Sequence, residues 1–242
     1  MKTIFKTKVG EVACYNNDHY FFNSFKTNNP YELKMINDFL KSFIVNAGTI
    51  LDIGSHIGYH SLAYSQLNPS AKIYAFEPQS KVYELLNENL ERNGIKNVQA
   101  SNVALSNKSG YFTLSETISD GNTPNQPIEY GTSKEFNLGG VSLGEGGEVV
   151  KTMTIDELKL EGVEFIKIDV EGAEPLVIAG GEETIKKYRP AICFEENQKT
   201  ITKEMRKIFG YEDTRTTIEL LKSYGYTTFV KIVNDNIIAL SE

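Results

Sequence analysis

The chain has 242 residues, 40% of them apolar, and a formal net charge of −7, which suits one α/β domain with a real core and argues against a nucleic-acid partner, since backbone binding needs a clustered basic surface. No stretch approaches the ~18 apolar residues of a membrane span, and residues 1–10 alternate lysine with apolar residues without the continuous apolar core of a signal peptide. The two cysteines, Cys14 and Cys193, lie far apart with no metal-ligand spacing, a pattern of reducing compartments, so the expectation is a cytoplasmic protein without membrane insertion.

Residues 1–27 alternate polar and apolar positions with turn signals at Gly10 and Asn16-Asn17, which predicts a strand pair. Behind Pro30, Met35, Ile36, Phe39, Leu40, Phe43 and Ile44 recur at helical spacing, which predicts a helix over 31–44. Residues 1–46 are thus expected to form an N-terminal β/α extension packed on the main body. From Thr49 the pattern becomes short apolar strands alternating with amphipathic helices, the mark of a parallel sheet with crossover helices. The predicted strands are 49–54, 72–77, 98–104, 163–170 and 190–196. Predicted helices cover 57–67 and 80–93, the latter with Val82, Leu85, Leu86 and Leu90 on one face and Gly94 as a stop. Further helices are expected after Pro175 and over 214–224. Thr227–Ile232 and Ile237–Leu240 flank Asn234-Asp235-Asn236 and read as an antiparallel hairpin at the sheet edge.

Residues 117–148 break the alternation, being rich in Gly, Ser, Thr, Pro and Asn. Loops this long are usually functional or disordered. Because this one follows the third strand, it is read as an acceptor lid on the ligand-binding edge of the sheet.

Leu51-Asp52-Ile53-Gly54-Ser55-His56-Ile57-Gly58 joins a strand to a helix, with two glycines that permit a tight turn near a ligand. The next strand ends Phe76-Glu77-Pro78, and an α/β nucleotide site places there the carboxylate that accepts ribose hydroxyls. Pro78 breaks the strand just past that acid. A dinucleotide site wants Gly-x-Gly-x-x-Gly around a pyrophosphate, whereas this loop is Gly-x-x-x-Gly preceded by an aspartate. Next to phosphate an aspartate repels; next to a sulfonium and an α-amino group it attracts. S-adenosylmethionine therefore fits better than NAD.

The segments LDIGSHIG (51–58), FEP (76–78), NVALS (102–106), NLGG (137–140), FIKIDVEGAE (165–174) and the Pro-x-Ile-x-x-Glu run at 190–195 together resemble the FkbM-type methyltransferase family, in order and over about residues 30–200. The resemblance implies a Rossmann-like class I methyltransferase fold: a mostly parallel seven-stranded sheet closed by the antiparallel hairpin, one domain over 1–242. It also implies S-adenosylmethionine as cofactor and a hydroxyl of a sugar or glycan as acceptor. On these residues Asp52, Gly54 and Gly58 would hold the methionine part, Glu77 the ribose, and Asn102, Val103 and Ala104 the adenine. His56 would serve the cofactor loop, and Tyr31-Glu32 matches an N-terminal element that closes over the cofactor.

Methyl transfer to a hydroxyl needs alignment and removal of the alcohol proton. The acids at two strand ends are the candidates. By resemblance Asp169 lies beside the transferring methyl and positions cofactor or acceptor, with Glu171 next to it on the acceptor side. Lys167, two residues earlier in the strand, is expected to pair with an acid. Glu174 precedes Pro175 and reads mainly as a helix start. Glu195 matches a family glutamate, but where relatives often carry His two positions later this chain has Asn197, which cannot take a proton. No residue is assigned as a metal ligand; Mg²⁺ or Mn²⁺ on Asp169, Glu195 and Asn197 is the less favoured alternative. His56 and His60 have the spacing of a zinc pair but lack the glutamate of His-Glu-x-x-His. The rival functions are an O-methyltransferase for a small non-sugar molecule, an NAD-dependent oxidoreductase and a non-catalytic binding module.

Overall fold

The computed structural model describes residues 1–27, 30–118, 126–132, 136–196, 203–233 and 235–241. Strands β1 (Lys2–Thr7) and β2 (Gly10–Tyr15) pair antiparallel from Lys2 opposite Tyr15 to Thr7 opposite Gly10. The strand pair expected over 1–27 therefore ends at Tyr15, and helix α1 (His19–Lys26) follows, burying Phe21 and Phe25. The helix expected over 31–44 is built from α2 (Tyr31–Met35), a π-helical turn (Ile36–Leu40) and α3 (Lys41–Ile44). The wider turn keeps Ile36, Leu40 and Ile44 all buried.

The main body runs β3 (Thr49–Ile53), α4 (Tyr59–Leu67), β4 (Lys72–Phe76), α5 (Ser80–Arg92), β5 (Val98–Ser101), β6 (Ala104–Leu105), β7 (Gly110–Ser115), β8 (Thr117–Ile118), β9 (Gln126–Pro127) and β10 (Gly146–Met153). It continues with β11 (Val163–Ile168), α6 (Glu174–Ala179), α7 (Glu182–Tyr188), β12 (Ala191–Glu195), α8 (Lys203–Phe209), α9 (Thr217–Ser223), β13 (Tyr226–Lys231) and β14 (Asn236–Ser241). Seven strands form the main sheet in the order β13-β14-β12-β11-β3-β4-β5, and only β14 runs against the others. This is the class I methyltransferase topology. The hairpin is not simply appended at the edge: β14 is inserted between β12 and β13.

Alternate residues of each strand serve two cores. Ile50, Ile73, Phe165 and Cys193 pack with the N-terminal extension, α4 and α5, while Leu51, Phe76, Ile166 and Phe194 pack with α6, α7 and α9. Asn89 of α5 ties the extension to the body. Its Oδ1 accepts from Ala13 N–H at 2.7 Å, and its Nδ2 donates to the carbonyls of Ala13 and Ile57 at 3.0 and 2.9 Å. Helix α9 begins later than the periodicity alone suggests, because Thr216 and Glu219 form a capping box.

The segment read as one lid loop over 117–148 is different in detail. From Gly146 the chain is already β10, which pairs antiparallel with β7 and parallel with β6 to make a three-stranded side sheet. The expected third strand, 98–104, correspondingly divides into β5 and β6. Among the described residues no helix is long and apolar enough to cross a membrane.

Candidate functional site

The chain lays β4 and β5 on one side of β3 and then returns to place β11 on the other. Such a reversal opens a crevice at the carboxyl ends of the strands. A cavity of about 300 Å³ lies there, within the range of ligand-binding clefts.

The loop after β3 and the end of β4 make one wall. Gly54 takes φ +76°, and a Cβ at that position would collide with the carbonyl oxygen of Asp169, so glycine alone allows the two loops to meet. Gly54 N–H and Ser55 N–H both donate to Phe76 C=O at 3.0 Å, which brings His56 N–H within 2.9 Å of Glu77 Oε2. Gln79 N–H donates to Glu77 Oε1 at 2.8 Å. Burial raises Glu77 to about 7 against the pull of these two donors. Asn102 braces the turn from behind, its Nδ2 donating to the carbonyls of Glu77 and Pro78 at 2.9 and 2.8 Å. Val103 and Ala104 continue the wall.

The opposite end is acidic. Lys167 stands opposite Asp52 in the β11–β3 register, so both side chains enter the same face of the sheet beneath α4. Lys167 Nζ lies 3.1 Å from Asp169 Oδ2 and donates to Gly54 C=O at 3.4 Å. Burial would lower this ammonium, but the charges of Asp169 and Asp52 reverse that and hold it raised. Ser61 Oγ donates to Asp52 Oδ2 at 2.5 Å. The turn after β11 is held by Glu174, whose Oε1 accepts from Val170 N–H at 3.1 Å; burial raises this carboxyl to about 8. Within the turn Glu171 adopts φ +55°. Carboxylate oxygens of Asp169, Glu171 and Glu195 lie within 4.8 Å of one another, and Asn236 of β14 stands opposite Glu195 of β12 in register.

The remaining wall comes from the extension and the insert: Tyr20, Phe21, Tyr31, Glu32 and Met35 on one side, Asn137, Gly139, Val141 and Leu143 on the other. Asn17 clasps the insert, accepting from Gly131 N–H at 2.9 Å and donating to Glu129 C=O at 2.7 Å. Gln79 Nε2 donates to Leu138 C=O at 2.9 Å. His56 stacks on Phe21 with 5.0 Å between ring centroids, its Nε2 3.4 Å from Asp18 Oδ2. Burial lowers His56 to about 3 and raises Asp18 to about 7.

Of the residues singled out from sequence, Gly54, His56, Glu77, Pro78, Val103, Ala104, Lys167, Asp169, Glu171 and Glu195 line this cavity. Asp52 does not: it is fully buried behind the wall, where it accepts from Ser61 and lies near the charge of Lys167. Gly58 is also absent from the wall, standing at the N-terminus of α4 against Leu86, and Asn102 acts through the Glu77–Pro78 turn. His60 lines the cavity together with His56 and stacks on Tyr64. Asn197 lies outside the described residues. Sequence reading missed Tyr20, Phe21 and Gln79. Nothing in the spacing of the first two marks them, whereas Gln79, directly after Glu77-Pro78, could have been suspected.

The family described as Methyltransferase FkbM domain matches residues 52–228. A protein named 2-O-methyltransferase NoeI, from Sinorhizobium fredii, is 31% identical over 157 residues, 58% of this chain and 60% of that protein. Methyltransferase sdnD from Sordaria araneosa is 31% identical over 156 residues, 55% of this chain and 60% of that protein. The chain thus spans about three fifths of these curated relatives. Among solved structures, a methyltransferase FkbM from Methylobacillus flagellatus KT aligns with TM-score 0.49 and 14% identity, covering 80% of this chain and 43% of that one.

Proposed function

The chain belongs to the FkbM methyltransferase family, and from that premise we propose that it transfers the methyl group of S-adenosylmethionine to a hydroxyl of a sugar or glycan. The observation that carries the acceptor class is the trio Asp169, Glu171 and Glu195 at one end of the cavity. Carboxylates so grouped accept hydrogen bonds from the several hydroxyls a sugar presents, and Tyr20 and Tyr31 offer ring surface in the same wall. The likeness to a relative named as a 2-O-methyltransferase is in keeping with an oxygen acceptor.

The residues fit the cofactor. Each oxygen of Glu77 already takes one backbone N–H, which points the carboxylate into place while leaving each oxygen a lone pair for a ribose hydroxyl. Phe76, Pro78, Val103 and Ala104 supply apolar surface for a purine, and the buried Ser55 Oγ, which has no hydrogen-bond partner among the described residues, is placed to meet a polar group of a ligand. When bound, the cofactor supplies an electrophilic methyl group on cationic sulfur. Asp169, fixed by Lys167, orients the acceptor hydroxyl, and the neighbouring carboxylates take its proton. The extension and the insert exclude water. An anionic cavity also suits a cofactor of net positive charge.

Calorimetry with S-adenosylhomocysteine and NAD, followed by S-adenosylhomocysteine release in the presence of sugars, glycans and phenols, tests the reading. Binding of the former ligand alone and turnover with a carbohydrate are expected. Absence of S-adenosylhomocysteine binding at about 1 mM, the upper end of ordinary Michaelis constants, refutes methyl transfer; turnover with phenols alone refutes the sugar.

A further inference from the structure

We propose that Gln79 is a positioning residue through which a cofactor bound at Glu77 fastens the insert over the cavity. This deepens the reading above, on which it rests for the ligand, by naming the link between cofactor binding and completion of the wall.

Gln79 stands at the N-cap of α5 with extended backbone, φ −70° and ψ 112°, a position from which short polar side chains cap the helix. Its amide makes no such bond and goes to the insert instead. Nε2 donates to Leu138 C=O at 2.9 Å, and Oε1 accepts from Tyr130 O–H at 3.1 Å. The backbone of the same residue is held on both sides. Its N–H donates to Glu77 Oε1 at 2.8 Å, and its C=O accepts from Val82 and Tyr83 N–H at 3.0 and 2.8 Å. One residue, 4% exposed, therefore joins the carboxylate assigned to the ribose to two points of the insert, and the start of α5 gives it a fixed base.

Both points are anchored in turn. Leu138, itself buried, opens the short helical turn Leu138–Gly140, beside which Asn137 and Gly139 line the cavity. Tyr130 packs on Tyr15 with 5.7 Å between ring centroids. Without cofactor, water can satisfy the Gln79 amide when the insert swings out. A cofactor beside Glu77 displaces that water, and an amide stripped of water needs its protein partners. Ionised Glu77, the form that takes ribose hydroxyls, also holds the Gln79 N–H roughly twice as strongly as the neutral acid. Both effects favour the fastened insert only with cofactor present, which is the differential affinity that a conformational shift requires. Asn17 holds the same insert from the extension, at Gly131 and Glu129 rather than at the Glu77 turn, and supplies the comparison.

Amide hydrogen exchange over residues 136–141, where Gly140 N–H donates to Asn137 C=O at 3.0 Å, tests this with and without saturating S-adenosylhomocysteine. In the wild type the ligand should slow exchange by about fivefold, the shift one net hydrogen bond supplies. Gln79→Leu keeps the backbone N–H for Glu77 and should abolish that slowing. It should still bind S-adenosylhomocysteine, about fivefold more weakly, because coupling is reciprocal. Tyr130→Phe, which removes one hydroxyl, should reduce the slowing. Asn17→Ala should speed exchange without ligand yet keep the ligand-dependent slowing, as loss of a merely structural tie does. Equal slowing in wild type and Gln79→Leu overturns the proposal, and so does its loss in Asn17→Ala. If Gln79→Leu does not bind the ligand at about 1 mM, Tyr130→Phe decides: reduced slowing supports the link and unchanged slowing overturns it. Calorimetry separates the two readings. A wild type that binds S-adenosylhomocysteine without slowed exchange refutes the link and leaves methyl transfer standing, whereas a wild type that does not bind it refutes both.

Discussion

The backbone N–H of His56 donates to Glu77 Oε2 at 2.9 Å, so the loop after β3 sets the carboxylate at the end of β4. Burial raises Glu77 from 4.5 to about 7. The folded chain then binds this proton more tightly than the unfolded chain, and the stability Glu77 contributes is full below its unfolded pKa and is lost as pH rises through 7. Asp18, raised to about 7, and Glu174, raised to about 8, act in the same sense. The melting temperature of the ligand-free chain should therefore fall as pH rises from about 4.5 to about 8, and Glu77→Gln should reduce the fall. Ribose hydroxyls need the ionised acid, so S-adenosylhomocysteine should bind about tenfold more tightly at pH 8 than at pH 6. Calorimetry at the two pH values checks this; equal affinities would remove Glu77 from the ribose.

Gly54→Ala should destabilise the chain by more than about 2 kcal/mol, since the left-handed φ and the collision with the Asp169 carbonyl act together. Denaturant unfolding measures it. A loss under about 0.5 kcal/mol, the range of ordinary surface changes, would show that the two loops can part freely.

Asn89→Ala removes three buried hydrogen bonds and strands Ala13 and Ile57 backbone groups. A loss of about 3 kcal/mol is expected, with faster amide exchange at Val12–Tyr15. If exchange in β2 is unchanged, the extension is held by its apolar contacts instead.

Asn17→Ala releases the clasp on Gly131 and Glu129. Cleavage after Glu129 by a glutamyl endopeptidase should accelerate, and S-adenosylhomocysteine should slow it again by filling the cavity beneath the insert. Equal cleavage rates in wild type and variant would deny Asn17 this role.

The parallel strands were legible because buried strands flanked by amphipathic helices change the apolar period from 2 to 3.6. Most of the cavity-lining residues were legible because they stand at strand ends, where an acid or glycine interrupts an apolar run. The side sheet was not: β10 begins inside a glycine-rich segment, and its pairing with β7 and β6 is a long-range event with no local signal. Tyr20 and Phe21 fall in the stretch 1–27 that reads as a strand pair, and nothing local marks the helix His19–Lys26 that carries them over the crevice.

By itself the sequence determined the kind of sheet, its helical connections and the chemical groups at its carboxyl edge, since these follow from local period and residue type. Tertiary structure decided which groups meet. Strand register set Asp52 beside Lys167, where it is buried behind the cavity wall and accepts from Ser61, the insertion of β14 set Asn236 beside Glu195, and the order β12-β11-β3 brought Glu195 to Asp169 and Glu171. Pairing between strands distant in the chain fixes these neighbours, and no spacing along one strand encodes it.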